Sequence, residues 1–275
     1  MDKKDMRKIQ LLAVLIIFLI PVITSSLLDL KQQKEQAAAY QALLSAQEIQ
    51  RIAEKKNYLM GKFNPGGRED FVLIPKEHTT LSVPMYLRQE AYDAFLKMSA
   101  AAKLDGIKLR IASATRNFDY QKVIWDNKWS GATLVDGENL AESITGGPER
   151  FQKILEYSAA PGTSRHHWGT DIDVYYAIPA FFETGKGKKI YDWLVVNAPT
   201  FGFCQVYNEK GTDQFAGYHE EKWHWSYLPL ARNLTQEYKT LITLEDLDGV
   251  SFLGSEFVPE NLINDYVLSI NPECL

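Results

Sequence analysis

The chain has 275 residues, of which 45% are hydrophobic and 24% charged, with a formal net charge of −5. That length and mix allow a sizeable core without metal or disulfide staples, and they speak against disorder over most of the chain. The negative balance and the lack of a basic cluster argue against a nucleic-acid partner, because phosphate binding needs a basic surface.

Lys3, Lys4, Arg7 and Lys8 precede Leu11–Leu28, a run without a single charge. Its length lies between a signal-peptide core and a membrane-spanning helix, which needs about 20 residues. Thr24, Ser25 and Ser26 offer small residues for cleavage, but no clear A-x-A site follows. The reading is an uncleaved membrane anchor over residues 1–28, with a cleaved signal or a buried terminal helix as alternatives. The basic residues ahead of the run keep its start in the cytoplasm, so the chain beyond the run lies outside it, in the periplasm or at the cell surface. Residues 29–60 are rich in Ala, Gln, Glu and Lys and lack Pro before the turn-forming stretch Gly61–Asp70. Such residues lose little freedom in a helix, and the segment reads as a helical stalk without a clean heptad.

The stretch Gly61–Asp70 marks the start of a third segment, 61–275. Phe71–Pro75 reads as a short strand, and Leu87, Ala91, Phe95 and Met98 recur at helical spacing until Gly106. Ile107, Leu109 and Ile111 alternate with Lys108 and Arg110, the pattern of a half-buried strand. Phe118–Trp129 resumes helical spacing, and strands are expected around Gly169–Tyr176, Gly202–Asn208 and Lys222–Leu228. Mixed elements, short connections and no repeated βαβ period make the class α+β. Cys204 and Cys274 are either a disulfide pinning the C-terminus to the core or two unpaired thiols, and no CxxC spacing suggests a thiolate metal site. After Thr235 the chain reads as short elements packed on the domain, and Asp246-Leu247-Asp248-Gly249 lacks the remaining oxygens of a calcium loop.

Two clusters carry chemistry. In Thr163–Tyr176, a strand at 170–176 would point Asp171 and Asp173 to one face and Ile172 and Val174 to the other. Two carboxylates side by side facing a cavity repel unless a cation or a donor sits between them. In His219–Tyr227, His224 would face away from Trp223 and Trp225. Glu221 is a candidate general base, but strict alternation puts it opposite His224, so that role demands a bulge or a loop before the strand. Taken singly, the first cluster reads rather as solvated polar residues and the second as core tryptophans with exposed charges.

Together, Ser164–Asp173 fits S-x-H-x-x-G-x-A/D-x-D, and Glu221–His224 fits E-x-W-H. Ser113–Gln121 is similar to an arginine segment that precedes these motifs. In this order the three motifs, within about 61–230, resemble the VanY-type D-alanyl-D-alanine carboxypeptidases. That group of zinc peptidases also holds D-Ala-D-Ala dipeptidases, L,D-carboxypeptidases and phage endolysins. The resemblance implies a Hedgehog/DD-peptidase-like fold, with a small, mostly antiparallel sheet flanked by helices, and Zn2+ as cofactor. It implies His166, Asp173 and His224 as metal ligands and Glu221 as base. Arg116 would stabilise the oxyanion or grip the substrate, while Ser164 and Gln121 would hold the peptide.

That chemistry requires these types: zinc brings the pKa of a coordinated water to about 7, a nearby carboxylate takes its proton, and a forked cation suits a tetrahedral oxyanion. Peptidoglycan stem peptides are the implied substrate and release of a terminal D-alanine the implied reaction. L,D-carboxypeptidase or endopeptidase activity is the alternative, and a non-catalytic peptidoglycan-binding protein a further one. Two positions depart from many relatives. Asp171 stands where Ala is common, so it would orient a ligand histidine or bind a substrate amine, and Ala114 stands where Gly is common. His78, His167 and His219 are expected to be surface residues or neighbours of the site, and Glu220 competes with Glu221 for the role of base.

Overall fold

The computed structural model describes residues 2–209, 217–248 and 250–275, and the side chains of only part of 2–29. Two compact units divide the chain, Met1–Glu54 and Lys55–Leu275. The first is helical: α1 runs Lys3–Leu59, its last turn lying in the second unit. Residues 30–50 of α1 are exposed, as its Ala, Gln, Glu and Lys content leads one to expect. The expected membrane span is not supported: no helix among the described residues is long and apolar enough to cross a membrane, and most of Leu11–Leu28 lies outside the described side chains.

In chain order the second unit carries β1 (Phe71–Leu73), β2 (Tyr86–Arg88), α2 (Gln89–Leu104), β3 (Ile111–Ser113), α3 (Phe118–Trp129), α4 (Leu140–Ser143) and α5 (Gly147–Leu155). After these come β4 (Asp171–Val174), α6 (Gly185–Asn197), β5 (Phe203–Gln205), β6 (His224–Tyr227), α7 (Leu228–Leu241) and α8 (Leu244–Asp248). β1 and β2 form an antiparallel ribbon, and the other four strands form an antiparallel sheet in the order β3-β4-β6-β5. The α+β class and the small antiparallel sheet flanked by helices are therefore observed.

Apolar packing explains the layout. Ile172, Val174, Phe203 and Trp225 leave the sheet on one side and meet Phe95 and Met98 of α2 and Ile190 and Leu194 of α6. A second cluster gathers Trp125 of α3, Phe151 of α5, Trp168 and Tyr238 of α7, together with Leu247, Phe252, Tyr266 and Ile270 of the C-terminal segment. That segment is pinned by a disulfide between Cys204 on β5 and Cys274, so the two cysteines are paired. Loop closure across 70 residues makes such a link worth about 2–4 kcal/mol. At the start of the unit, Tyr58 Oη donates to the Trp168 carbonyl at 2.6 Å and Trp168 Nε1 donates to the Leu59 carbonyl at 3.1 Å. The end of α1 is thereby held against the turn that carries His166.

Candidate active site

β4 and β6 bring the two sequence clusters together by register. Asp171 pairs with Ser226, Ile172 with Trp225, and Asp173 with His224. Directly opposed residues share a face, so Asp171, Asp173, His224 and Ser226 line one side while Ile172 and Trp225 enter the core on the other. His166 arrives from a 3₁₀ turn, Arg165–Trp168, that precedes β4. Gly169 ends this turn at φ 73°, a left-handed conformation that glycine adopts without cost, and a Cβ there would lie 2.3 Å from the Phe71 ring. Glu221 reaches the same side because it precedes the strand: the His224 amide donates to its carbonyl at 3.1 Å, closing a turn. This is the loop that the alternation argument required.

Both imidazoles are oriented through their far nitrogens. His166 Nδ1 lies 2.8 Å from the Ala114 carbonyl and His224 Nε2 2.9 Å from Asp171 Oδ2. A carbonyl can only accept, so His166 carries its proton on Nδ1 and presents Nε2 as a lone pair. His224 does the reverse, presenting Nδ1. One donor atom from each of His166, Asp173 and His224 lies within 4.8 Å of the others. His166 Nε2 and Asp173 Oδ1 are 3.3 Å apart, and His224 Nδ1 and Asp173 Oδ1 3.8 Å. Two zinc bonds of about 2.0–2.1 Å at a tetrahedral angle span about 3.4 Å. His166 Nε2 and Asp173 Oδ1 are also buried without a hydrogen-bond partner, which is costly unless a cation completes them. Two nitrogens and a carboxylate oxygen are a donor set that zinc accepts.

Asp171 does not bind a substrate amine. It is fully buried, and Arg165 Nε at 3.2 Å, His224 Nε2 at 2.9 Å, Ser226 Oγ at 2.6 Å and Thr170 Oγ1 at 2.7 Å occupy its oxygens. It serves as the carboxylate that orients His224, the other role open to it. Arg165, absent from the sequence reading, anchors this carboxylate, donating also to Thr235 Oγ1 at 2.9 Å and Ser226 Oγ at 3.1 Å and stacking over Trp168. Its position beside a motif histidine was the only signal, and nothing in the spacing tells a buried arginine from an exposed one.

Electrostatics agree with a site built for positive charge. Burial pushes Asp173 up, but His166, His224 and Arg116 outweigh it and hold the carboxyl down to about 2. Burial likewise works against a charged His224, yet hydrogen bonds to Asp171 and Glu221 raise it to about 9. In that charged form His224 donates from Nδ1 to Glu221 Oε2 at 2.8 Å, and loss of this proton is what frees the Nδ1 lone pair. Burial, helped by the Arg116 guanidinium, lowers His166.

A cleft of about 250 Å³ opens over these groups, and all seven expected residues line it: Arg116, Gln121, Ser164, His166, Asp173, Glu221 and His224. Arg116 follows β3, its amide donating to the His166 carbonyl at 3.1 Å and its Nε left without a partner. Gln121 donates through Nε2 to the Ala159 carbonyl at 2.7 Å, leaving Oε1 unpartnered. Glu220 also lines the cleft, but it accepts from Tyr191 Oη at 3.2 Å and pairs with Lys222 at 3.7 Å, while it is Glu221 that bonds His224, at 2.8 Å.

The remaining histidines divide three ways. His167 is fully buried rather than at the surface: Nδ1 donates to the Arg116 carbonyl at 2.6 Å and Nε2 accepts from the Gly162 amide at 3.1 Å. Burial holds it neutral, its pKa falling to about 3. It braces the backbone that carries Arg116. His78 bonds Tyr92 Oη at 2.7 Å, away from the cleft, and His219 lies exposed on the cleft rim. Tyr207 and Lys128 also line the cleft, although no motif singled them out.

Comparison with known proteins places this architecture. The putative carboxypeptidase YodJ of Bacillus subtilis (strain 168) is 29% identical over 197 residues, which are 68% of this chain and 63% of that protein. The chain thus spans less than two thirds of that relative's length. An uncharacterized protein of Haemophilus influenzae (strain Rd KW20) is 27% identical over 122 residues, 38% of this chain and 90% of its own. Among solved structures, the LdcB LD-carboxypeptidase is 27% identical, covering 70% of this chain and 82% of its own at a TM-score of 0.45. A model of the VanY family, described as D-alanyl-D-alanine carboxypeptidase, matches residues 84–230, the span from β2 through β6 that builds the cleft. The chain belongs to the VanY family.

Proposed function

We propose that this chain is a zinc-dependent carboxypeptidase that removes the terminal D-alanine from peptidoglycan stem peptides outside the cytoplasm. The observation that carries the reading is the pair of buried, unpartnered donors, His166 Nε2 and Asp173 Oδ1, facing His224 across the β4–β6 register. Family membership supports the peptide substrate, and a VanY D,D-pentapeptidase has been solved in complex with Zn(II). The Cys204–Cys274 disulfide supports an oxidising compartment, as does a substrate that lies outside the cytoplasm.

Held by His166, Asp173 and His224, zinc would supply a Lewis acid that polarises the scissile carbonyl and acidifies water. The chain's own groups do the rest. Asp171 and the Ala114 carbonyl keep the two imidazoles in the tautomers that expose lone pairs. Glu221 takes the proton of the attacking water and later delivers it to the leaving amine of D-alanine, so the carboxylate is regenerated in each turnover. Arg116, with an unpartnered Nε at the cleft, stabilises the oxyanion or grips the terminal carboxylate. Gln121 Oε1 and Ser164 hold the peptide backbone.

Incubation with defined tri-, tetra- and pentapeptide muropeptides, with and without chelator, tests the reading. D-Alanine release from the pentapeptide, lost with chelator and restored by zinc, is the expected result; release from the tetrapeptide instead identifies L,D-cleavage. No release from any of them refutes it.

A further inference from the structure

Eight buried side-chain polar atoms among the described residues lack a hydrogen-bond partner, and five of them belong to residues that line the cleft. Arg116 Nε, Gln121 Oε1, His166 Nε2 and Asp173 Oδ1 have roles in the reading above. The fifth is the hydroxyl of Tyr218, which no motif singled out. Tyr218 is 4% exposed, and its ring lies edge-on to Tyr207 at 4.9 Å and to Tyr266 at 5.2 Å. Packing alone therefore holds the ring, with no hydrogen bond from the phenol. Tyr266 differs, since its Oη accepts from Gln152 Nε2 and it does not line the cleft. A buried hydroxyl without a partner is unfavourable, and a ligand that supplies one removes that cost. Burial, then the oxygens of Tyr207 and Glu221, raises the Tyr218 phenol well above its ordinary 10, so it keeps a proton to donate. Its place in the cleft follows from its neighbours. The Arg116 amide donates to the His166 carbonyl at 3.1 Å, which sets Arg116 on the His166 side. The Tyr207 ring stands edge-on to His224 at 5.1 Å, which sets Tyr207 and Tyr218 on the His224 side.

We propose that Tyr218 is a further substrate-binding residue, whose hydroxyl donates a hydrogen bond to a carbonyl oxygen in the retained part of the stem peptide, on the His224 side of the cleft. This rests on the carboxypeptidase reading above. Arg116 engages the oxyanion or the terminal carboxylate, groups at or beyond the scissile bond, so carbonyls upstream of that bond need other donors. Gln121 Oε1 can only accept, so it takes a peptide N–H and not a carbonyl. A stem peptide ending in two D-alanines offers the required acceptor at the amide that joins the penultimate D-alanine to the residue before it. A neutral hydrogen bond of this kind changes affinity about 2–10-fold.

Tyr218→Phe is the test, because it removes the hydroxyl and keeps the ring between Tyr207 and Tyr266. With the full zinc-loaded chain and a pentapeptide muropeptide, kcat/KM is expected to fall about 2–10-fold through a higher KM at unchanged kcat. The midpoint of denaturant unfolding should stay the same or rise, since the free protein loses an unsatisfied hydroxyl and no bond. Tyr266→Phe, a change in the same aromatic cluster, should leave KM as it is. An unchanged KM in Tyr218→Phe overturns the proposal, and so does a lower unfolding midpoint, which would mean that the hydroxyl is bonded within the protein. An equal rise of KM in Tyr266→Phe overturns it too, because the cluster and not the hydroxyl would then be responsible. If the wild-type chain releases no D-alanine, the carboxypeptidase reading fails by itself, and calorimetry of the pentapeptide decides the role of Tyr218. Binding that is weaker by the same factor in Tyr218→Phe sustains that role; equal or absent binding overturns it.

Discussion

The two faces of β4 and β6 are made by alternate residues of the same strands, yet they are held by different physics. On one face Ile172, Val174 and Trp225 pack against helices and need only shape and area. On the other, Asp171, Asp173, His224 and Ser226 are equally buried and polar, so each atom needs a partner. Asp171 is supplied four times over, while Asp173 Oδ1 and, from the adjoining turn, His166 Nε2 are left bare. Where a buried polar face is otherwise saturated, the atoms left unsatisfied mark where the ligand belongs.

The contrast can be broken most forcefully at the base. Glu221→Ala is expected to lower D-alanine release about 10²–10⁴-fold while one metal per chain is retained, read by muropeptide assay and metal analysis. Unchanged release would remove Glu221 from the mechanism. On the apolar face, Phe203→Ala should cost about 3–5 kcal/mol in denaturant unfolding and leave the metal affinity of the folded protein as it was. A large loss of metal affinity there would mean the two faces are not separable.

Asp171→Asn removes the carboxylate behind His224 and should weaken metal binding about 10–100-fold in a chelator competition. It also leaves Arg165 buried without its counter-ion, so stability should fall together with affinity. The pH dependence is gentler. His224 is held near 9 in the metal-free protein, so metal binding at neutral pH must expel a proton. Apparent affinity is expected to rise about tenfold per pH unit from pH 7 to about 9 and then level off. The sign for folding is opposite: the folded value lies above the ordinary 6.5, so His224 contributes full stability below that pH and loses it as pH rises through about 9. Ile172→Val, the smallest change, should cost about 0.5–1.5 kcal/mol and alter neither metal binding nor its pH profile.

Much of this site was legible beforehand because it is written in local patterns. The alternation of Asp171, Ile172, Asp173 and Val174 assigns each side chain its face, and the misfit between Glu221 and His224 called for the turn that is observed. The roles of Arg165 and His167 were not legible. Each acts through partners brought in from elsewhere, Thr235 and Ser226 for one, the Arg116 carbonyl and Gly162 amide for the other. Tyr218 was hidden for the same reason, since its aromatic neighbours are Tyr207 and, in the C-terminal segment, Tyr266.

By itself the sequence determined the class of the fold and the strand faces, since periodicity acts over a few neighbours, while the candidate ligands followed from the resemblance of its three motifs to a family. Only the tertiary structure decided that Asp173 stands opposite His224, that Cys204 and Cys274 are joined, and that Asp171 is sealed behind the site. Those outcomes depend on register, burial and partner geometry across tens of residues, and local patterns do not carry that information.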